Sequence, residues 1–518
     1  MHAIVHSVAI SGVDAFEVTV EASLAGGLPG VHVVGLPDTA VREARERVRS
    51  ALRAARLTLP ASRVVVNLAP ADVRKEGPAF DLPIALALLA AQGRVPTARL
   101  QSAVLVGELG LDGRVRTVRA PLAIALTARD AGRSILVVPA EQAEEACAVP
   151  GLEVVPVGSL LETIAWARGA APCASGARPT AAPTGAFGGV PDLDDVRGQH
   201  VAKRALEVAA AGRHHILLVG PPGSGKTMLA ERLPGVLPSL SASEALDVAR
   251  LHTLAGLRRH PRDVRPPLRA PHHGVSVAGL VGTPNGLGEL SLAHRGVLFM
   301  DEWPEFDRRA LESLREPLES GALSLARARG RRTLPADVQL IAAMNPCPCG
   351  SAGDPRRSCA CPPALRRRYL ARVSGPLLDR MALRVVVAAL SDADDGASNG
   401  VAAPRQRQRR PAATASGSAV VSARVAAARD HALRRQGCPN AALRGRALAR
   451  HAALPEHGLA LLRRARTDGR LGERGIDDVR RVARSLADLA GRGAITVEDV
   501  AEALAFRANV SDADAQDH

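Results

Sequence analysis

Aromatic residues are scarce: six Phe, two Trp and one Tyr among 518 residues. Proteins that hold single strands by stacking bases need aromatic platforms, so a base-stacking surface is argued against. Lysine is rarer still, since Lys75, Lys203 and Lys226 are the three lysines among 67 basic residues. A habit of writing positive charge as arginine explains the choice of residue, but not the excess of base over acid. No apolar run approaches the ~18 residues needed to cross a bilayer. The start, MHAIVHSVAISG, has no basic head, no long apolar centre and no small-residue cleavage site, so the expectation is a cytoplasmic protein with no membrane partner. Seven cysteines in such a length make no disulfide framework.

What is present is ordinary in bulk and unusual in charge. Hydrophobic residues at 47% and charged residues at 23% describe a globular chain long enough for more than one core. The net charge of +15 favours polyanionic partners, nucleic acid first. Two stretches rich in Ala, Pro, Gly, Ser and Thr, residues 168–190 and 391–418, read as linkers. They leave three blocks: 1–167, 191–390 and 419–518. The first mixes strand-like runs (Phe16 to Ala22, Val31 to Val34, Arg63 to Leu68, Ser102 to Val106) with helical ones (Arg42 to Ala55, Leu82 to Ala91), which predicts α+β. The second alternates short apolar strands, Ile216 to Val219, Val297 to Met300 and Val338 to Met344, with helices, which predicts a parallel sheet covered on both faces. The third, rich in Ala, Leu and Arg at helical spacing, predicts a helical bundle.

Gly220-Pro221-Pro222-Gly223-Ser224-Gly225-Lys226-Thr227 fits the G-x-x-x-x-G-K-[ST] pattern in full, after an apolar strand and at the start of a helix. Glycines let backbone N–H groups turn inward around phosphates at a helix N-terminus that favours anions. Lys226 would meet the β- and γ-phosphates of ATP, and the Thr227 hydroxyl would bind Mg²⁺. Val297-Leu-Phe-Met-Asp301-Glu302 supplies the second half: Asp301 for Mg²⁺, Glu302 to polarise the attacking water. Asn345 closes the next strand, where its amide could position that water.

From these motifs outward the chain resembles the YifB/ComM group of magnesium-chelatase-like AAA+ ATPases. The resemblance is carried by GLPGVHVVGLPDTAVREARERVRSAL from Gly27, VNLAPADVRKEGPAFDLPIALALL from Val66, VRGQHVAKRALEVAAAG before the nucleotide loop and PHHGVSVAGLVG from Pro271. GELSLAHRGVLFMDEWPEF, AAMNPCPCG, SGPLLDR and LGERGIDDVRRVARSLADLAG extend it. It implies a multidomain α/β chain: an α+β Lon-protease-like N-terminal domain, a P-loop AAA+ core with a parallel sheet, and a C-terminal helical lid. It implies that Arg380 is an arginine finger acting on the neighbouring subunit, that Arg474 is the second sensor, and that the chain forms a ring, expected to be a hexamer. Arginine suits both tasks because its planar fork binds phosphate oxygens two at a time. In the Lon-like block Ala79 falls on the nucleophilic serine and Leu122 replaces the general-base lysine. Nucleophilic catalysis cannot proceed without its nucleophile, so a protease-like fold kept for binding or assembly is expected.

Three further features stand beside the nucleotide motifs. Arg327, Arg329, Arg331 and Arg332 surround Gly330 in SLARARGRRTLPADV, the pattern of a hairpin with an arginine tip. The resemblance places it in the ring's channel, where it would meet DNA phosphates without regard to sequence. His272-His273 reads either as a loop element or as a metal or phosphate contact. Cys347, Cys349, Cys359 and Cys361 form a C-x-C-x9-C-x-C cluster; Zn²⁺ and free structural thiols both fit, the spacing being tighter than the usual C-x2-4-C. The expected function is an ATP-hydrolysing motor on DNA, of helicase or branch-migration type, in DNA uptake and recombination. A magnesium-chelatase-like motor driving metal insertion is the first alternative, and an ATP-dependent protease the second.

Overall fold

The computed structural model describes residues 2–59, 62–171, 189–283, 285–327, 330–354, 356–389, 417–469 and 471–507, without the side chains of 326, 327, 330 and 331. Residues 172–188 and 390–416, most of the two expected linkers, lie outside that set. The chain divides into two units.

The first unit comprises Met1–Phe187, Ser241–Val264 and Pro284–Leu287. Its seven-stranded mixed sheet runs, edge to edge, Gly30–Val34, Arg63–Ala69, Asp14–Ala25, His2–Ser11, Ala103–Leu105, Ile135–Pro139 and Glu153–Val157. Alternation sets its faces: Val18, Val20 and Ala22 are buried, while Glu17, Thr19 and Glu21 between them are not. The helix Thr39–Ala54 buries Val41, Ala44, Val48, Ala51 and Leu52 and is capped by Asp38, whose carboxylate accepts from the Val41 N–H at 2.7 Å. Asp81–Ala91 has no polar face, and every residue of it is buried.

Ser241–Val264 was expected within the 191–390 block, yet it folds with the first unit. The reason is apolar packing. A capping box between Ser241 and Glu244 starts the helix Ala242–Leu254, which puts Leu246 and Ala249 into the cluster of Val104, Leu122 and Val138. Ala79 packs against that same cluster, so both positions where the resemblance looked for a dyad lie against hydrocarbon.

The second unit contains Gly188–Leu240, Arg265–Thr283 and Gly288–His518. Five parallel strands lie in the order Leu268–Arg269, Val297–Met300, Gln339–Met344, Ile216–Val219 and Leu383–Val386. The middle three are buried at every position, as a sheet covered on both faces requires. The C-terminal segment forms the helices Ser418–Gln436, Gly445–His451, Glu456–Thr467, Glu473–Leu489 and Val497–Ala505. Ser418–Gln436 packs on His200–Gly212 and on Lys226–Val236, and Glu473–Leu489 also packs on His200–Gly212. Val425, Val482 and Leu486 therefore share one core with Leu206 and Ile216.

Candidate nucleotide site

In parallel α/β sheets ligands bind beyond the carboxyl ends of the strands. Here Val297–Met300, Gln339–Met344 and Ile216–Val219 are consecutive neighbours, so Asp301, Asn345 and Gly220 emerge side by side from one sheet edge. A Cβ on Gly220 would stand 2.2 Å from the Val387 carbonyl oxygen, which excludes any larger residue there. Gly223 and Gly225 take φ of +76° and +89°, the left-handed region that L side chains rarely adopt. Their turns deliver the chain into the helix Lys226–Val236.

Lys226 is buried and donates to the Gly220 and Pro221 carbonyls at 2.7 and 2.8 Å and to Asn345 Oδ1 at 3.3 Å. All three acceptors are neutral, so burial lowers the Lys226 pKa while the Asp301 and Glu302 carboxylates oppose that shift. Thr227 Oγ1 donates to Asp301 Oδ2 at 2.8 Å, and Asp301 Oδ1 accepts from the Glu302 N–H at 2.9 Å. Ser224 Oγ is buried with no hydrogen-bond partner among the described residues. The donor set fits a magnesium–nucleoside triphosphate: open space over Gly223 and Gly225, an ammonium without a carboxylate contact, and a hydroxyl beside a carboxylate for a hard cation.

Glu302 lies apart from Asp301 in direction, because its φ of +52° turns the chain into the short helix Trp303–Glu305. Its carboxylate Oε2 is 3.0 Å from His273 Nδ1. The sequence singled out the His272-His273 pair but not this partner; the two rings lie 4.0 Å apart. Gln199 and Tyr369 were also missed. Gln199 Nε2 donates to the Ser224 and Ala388 carbonyls at 3.1 and 2.7 Å, tying the nucleotide loop to the chain beyond the last strand. Tyr369, the one tyrosine, has its pKa pushed up to about 12 by burial and meets the backbone N–H of Asn345. Gln199 stands in the VRGQHVAKRALEVAAAG stretch that carries the resemblance, a signal that could have found it, while Tyr369 has no motif signal and only the fold brings it in.

The two arginines implied by resemblance are not at this loop. Arg380 donates to Glu319 Oε2 at 2.8 Å and to the Pro376 carbonyl at 2.7 Å, and Arg474 reaches Glu319 Oε1 at 3.4 Å. They line a cavity of about 830 Å³ with Arg213, Arg444 and Arg481. The arginine hairpin exists as backbone: Ala322–Arg327 pairs antiparallel with Gly330–Pro335, with Leu325 opposite Arg332 and Arg327 opposite Gly330. Arg329 and the side chains of Arg327 and Arg331 lie outside the described residues, and Arg332 is half-buried. The sulfurs of Cys347, Cys349, Cys359 and Cys361 all lie within 4.8 Å of one another.

A parallel sheet with a phosphate-type loop and an acidic strand end side by side defines a P-loop nucleotide-binding protein. Family comparison agrees over three segments: residues 192–394 match the magnesium chelatase subunit ChlI, 20–142 the subunit ChlI of Mg-chelatase, and 415–507 the ChlI C-terminal region. The Mycobacterium tuberculosis protein Rv2897c is 46% identical over 509 residues, 97% of each chain. Escherichia coli YifB is 40% identical over 509 residues (98% of this chain, 97% of YifB), and Haemophilus influenzae competence protein ComM is 40% identical over 515 residues, 98% of each. The chain belongs to the YifB/ComM group of magnesium-chelatase-like AAA+ proteins, a family that implies an ATPase motor. A shorter likeness, 39% over 54 residues or 10% of the chain, is to the archaeal Lon protease of Thermococcus kodakarensis. No helix among the described residues is long and apolar enough to cross a membrane.

Proposed function

We propose that the protein is an ATP-hydrolysing, ring-forming motor that acts on DNA, of helicase or branch-migration type. The observation that carries the ATPase reading is the Thr227–Asp301 contact beside Lys226 and Asn345 at the carboxyl ends of three adjacent strands. Thr227 and Asp301 would hold Mg²⁺, which when bound neutralises charge on the phosphate oxygens. Lys226 binds the same oxygens, Asn345 orients the attacking water, and Glu302 takes its proton. Glu302 is exposed and turned towards His273, so the histidine fixes the direction of the base.

Arg380 pairs with Glu319 away from its own chain's loop, which supports a finger serving a neighbour's nucleotide, while Arg474, the second sensor in this reading, meets the same carboxylate. In this reading the helices from Ser418 onward form the lid. The net charge of +15, the arginine hairpin and the likeness to the Haemophilus influenzae competence protein ComM favour DNA uptake and recombination as the setting. The first unit, with Ala79 and Leu122 in hydrocarbon, serves binding or assembly.

The test is the ATPase rate with and without single-stranded, duplex and branched DNA, alongside Lys226→Ala and Glu302→Gln. Lys226→Ala is expected to abolish turnover, and Glu302→Gln to bind ATP without hydrolysing it. Wild-type turnover in Glu302→Gln would remove Glu302 as the base. A rate indifferent to every DNA, with no DNA binding, would favour the chelatase-type motor instead.

A further inference from the structure

Two residues beyond Asn345 the chain enters the loop that carries the four cysteines. The C-x-C spacing looked too short for both members of a pair to face one ion. The structure removes that objection through a turn: the Gly350 N–H donates to the Cys347 carbonyl at 3.0 Å, with Gly350 at a φ of +78°. The turn brings Cys347 and Cys349 sulfurs to 3.3 Å, and Cys359 Sγ lies 3.6 Å from each. A zinc ion with Zn–S bonds of ~2.3 Å would set its ligands at the corners of a tetrahedron with edges of ~3.8 Å. Four sulfurs mutually within 4.8 Å fit one ion of that size, and are too close for a multi-iron cluster between them.

Backbone donors also face two of the sulfurs. The Ala352 N–H points at Cys347 Sγ at 3.3 Å and the Cys361 N–H at Cys359 Sγ at 3.5 Å, contacts that favour the charged form of sulfur. Arg356 and Arg357 line a cavity of about 480 Å³ with Cys349 and Pro222, and can offset the negative charge of a tetrathiolate site. A Cβ on Gly350 would stand 2.6 Å from Pro222 Cδ, so the cysteine turn lies directly on the nucleotide loop.

We propose that Cys347, Cys349, Cys359 and Cys361 bind one zinc ion, and that this ion fixes the Gly350 turn as a brace against Pro222. The second half rests on the nucleotide-site reading above; the first does not. A ligated loop holds both ends of one edge of the site, Pro222 in the phosphate loop and Asn345 two residues ahead of Cys347. Losing the ion frees the turn and with it the approach of the two.

The full-length protein purified without chelator should contain about one zinc per chain by elemental analysis. Less than roughly a tenth of an equivalent, or an equivalent of iron in its place, would overturn the metal site. Cys359→Ser/Cys361→Ser should lose the zinc while circular dichroism holds; should that variant fail to fold, cobalt decides. Cobalt-loaded wild type should show sulfur-to-metal charge-transfer bands and strong ligand-field bands of a tetrahedral thiolate site, and their absence overturns the proposal. For the brace, the probe is a fluorescent ATP analogue. Its Kd should rise about tenfold when zinc is stripped with a mercurial and chelator and the mercurial is then released from the cysteines by excess thiol, equivalent to ~1.4 kcal/mol. An unchanged Kd would overturn the brace. Failure of both forms to bind the analogue would overturn brace and nucleotide reading together, with the zinc count still deciding the metal site.

Discussion

His273 Nδ1 stands 3.0 Å from Glu302 Oε2, while the Glu302 backbone is held in a left-handed turn with its N–H on Asp301. Glu302 is thus fixed at both ends, by a neighbouring carboxylate at the backbone and an imidazole at the side chain. A non-glycine residue at positive φ costs on the order of 1 kcal/mol and persists where surrounding contacts determine it.

If His273 acts by orienting Glu302, His273→Ala should lower kcat about tenfold and leave KM nearly unchanged, within the range that acid–base groups control. His273→Gln, which keeps a donor, should recover much of the loss. The decisive variant is His273→Ala/Glu302→Gln, expected to be no slower than Glu302→Gln alone, since removing the base removes what the histidine positions. Additive losses would show that His273 works elsewhere.

Arg380 and Arg474 meet at Glu319 and not at the loop of their own chain, which makes a mixing experiment the natural test. Arg380→Ala and Lys226→Ala should each be inactive alone. Mixed before assembly, they should regain part of the ATPase activity, because an intact loop from one chain then faces an intact arginine from the other. Co-assembly without any recovery would place Arg380 outside the reaction.

Much of the nucleotide site was legible because its parts are contiguous: eight residues spell the phosphate loop, and six spell the acidic strand end. The remainder depends on contacts across long separations. Glu319 and Arg474 are 155 residues apart, Gln199 and Ala388 are 189 apart, and no spacing rule joins them. The strand and helix expectations for the first block match elements there, Asp14–Ala25 and Asp81–Ala91 among them, but the opening strand His2–Ser11 was passed over. Its apolar positions were weighed only as a leader segment. Ser241–Val264 shows the other limit: its place between the two linkers put it in the 191–390 block, but chain position does not say which core receives Leu246 and Ala249.

A buried histidine gives the second unit a pH dependence. His214 is 1% exposed, its Nε2 lies 2.8 Å from Ser485 Oγ, and burial, helped by Arg481, pushes its pKa down to about 3. The folded pKa is below the unfolded value near 6.5, so the unfolded chain binds the proton first. Stability from this group is complete above pH ~6.5 and falls as pH drops towards the folded value, by roughly 2 kcal/mol at pH 5. His214→Gln keeps a polar group towards Ser485 without the titration. Melting curves at pH 7 and 5 should show a smaller drop for the variant than for wild type, and equal drops would contradict the linkage.

The arginine hairpin separates a DNA motor from a chelatase-type motor. Its two strands pair from Ala322 opposite Pro335 to Arg327 opposite Gly330, so four arginines fall within six residues around its turn. Each arginine that neutralises a phosphate releases a condensed counterion, and each lost contact should reduce the salt slope of binding by ~0.7 to 0.9. Arg331→Ala/Arg332→Ala should therefore weaken binding to all sequences alike and flatten the slope by somewhat under about two units. Basal ATPase should survive, because the contacts that Lys226 and Thr227 make with Gly220 and Asp301 involve neither residue. Stimulation of the ATPase by DNA should be lost. Binding titrations at several salt concentrations, run beside the ATPase assay, decide the matter. Unchanged affinity and slope in the double variant would make the hairpin an ordinary solvated element, and DNA engagement would have to be sought on another surface.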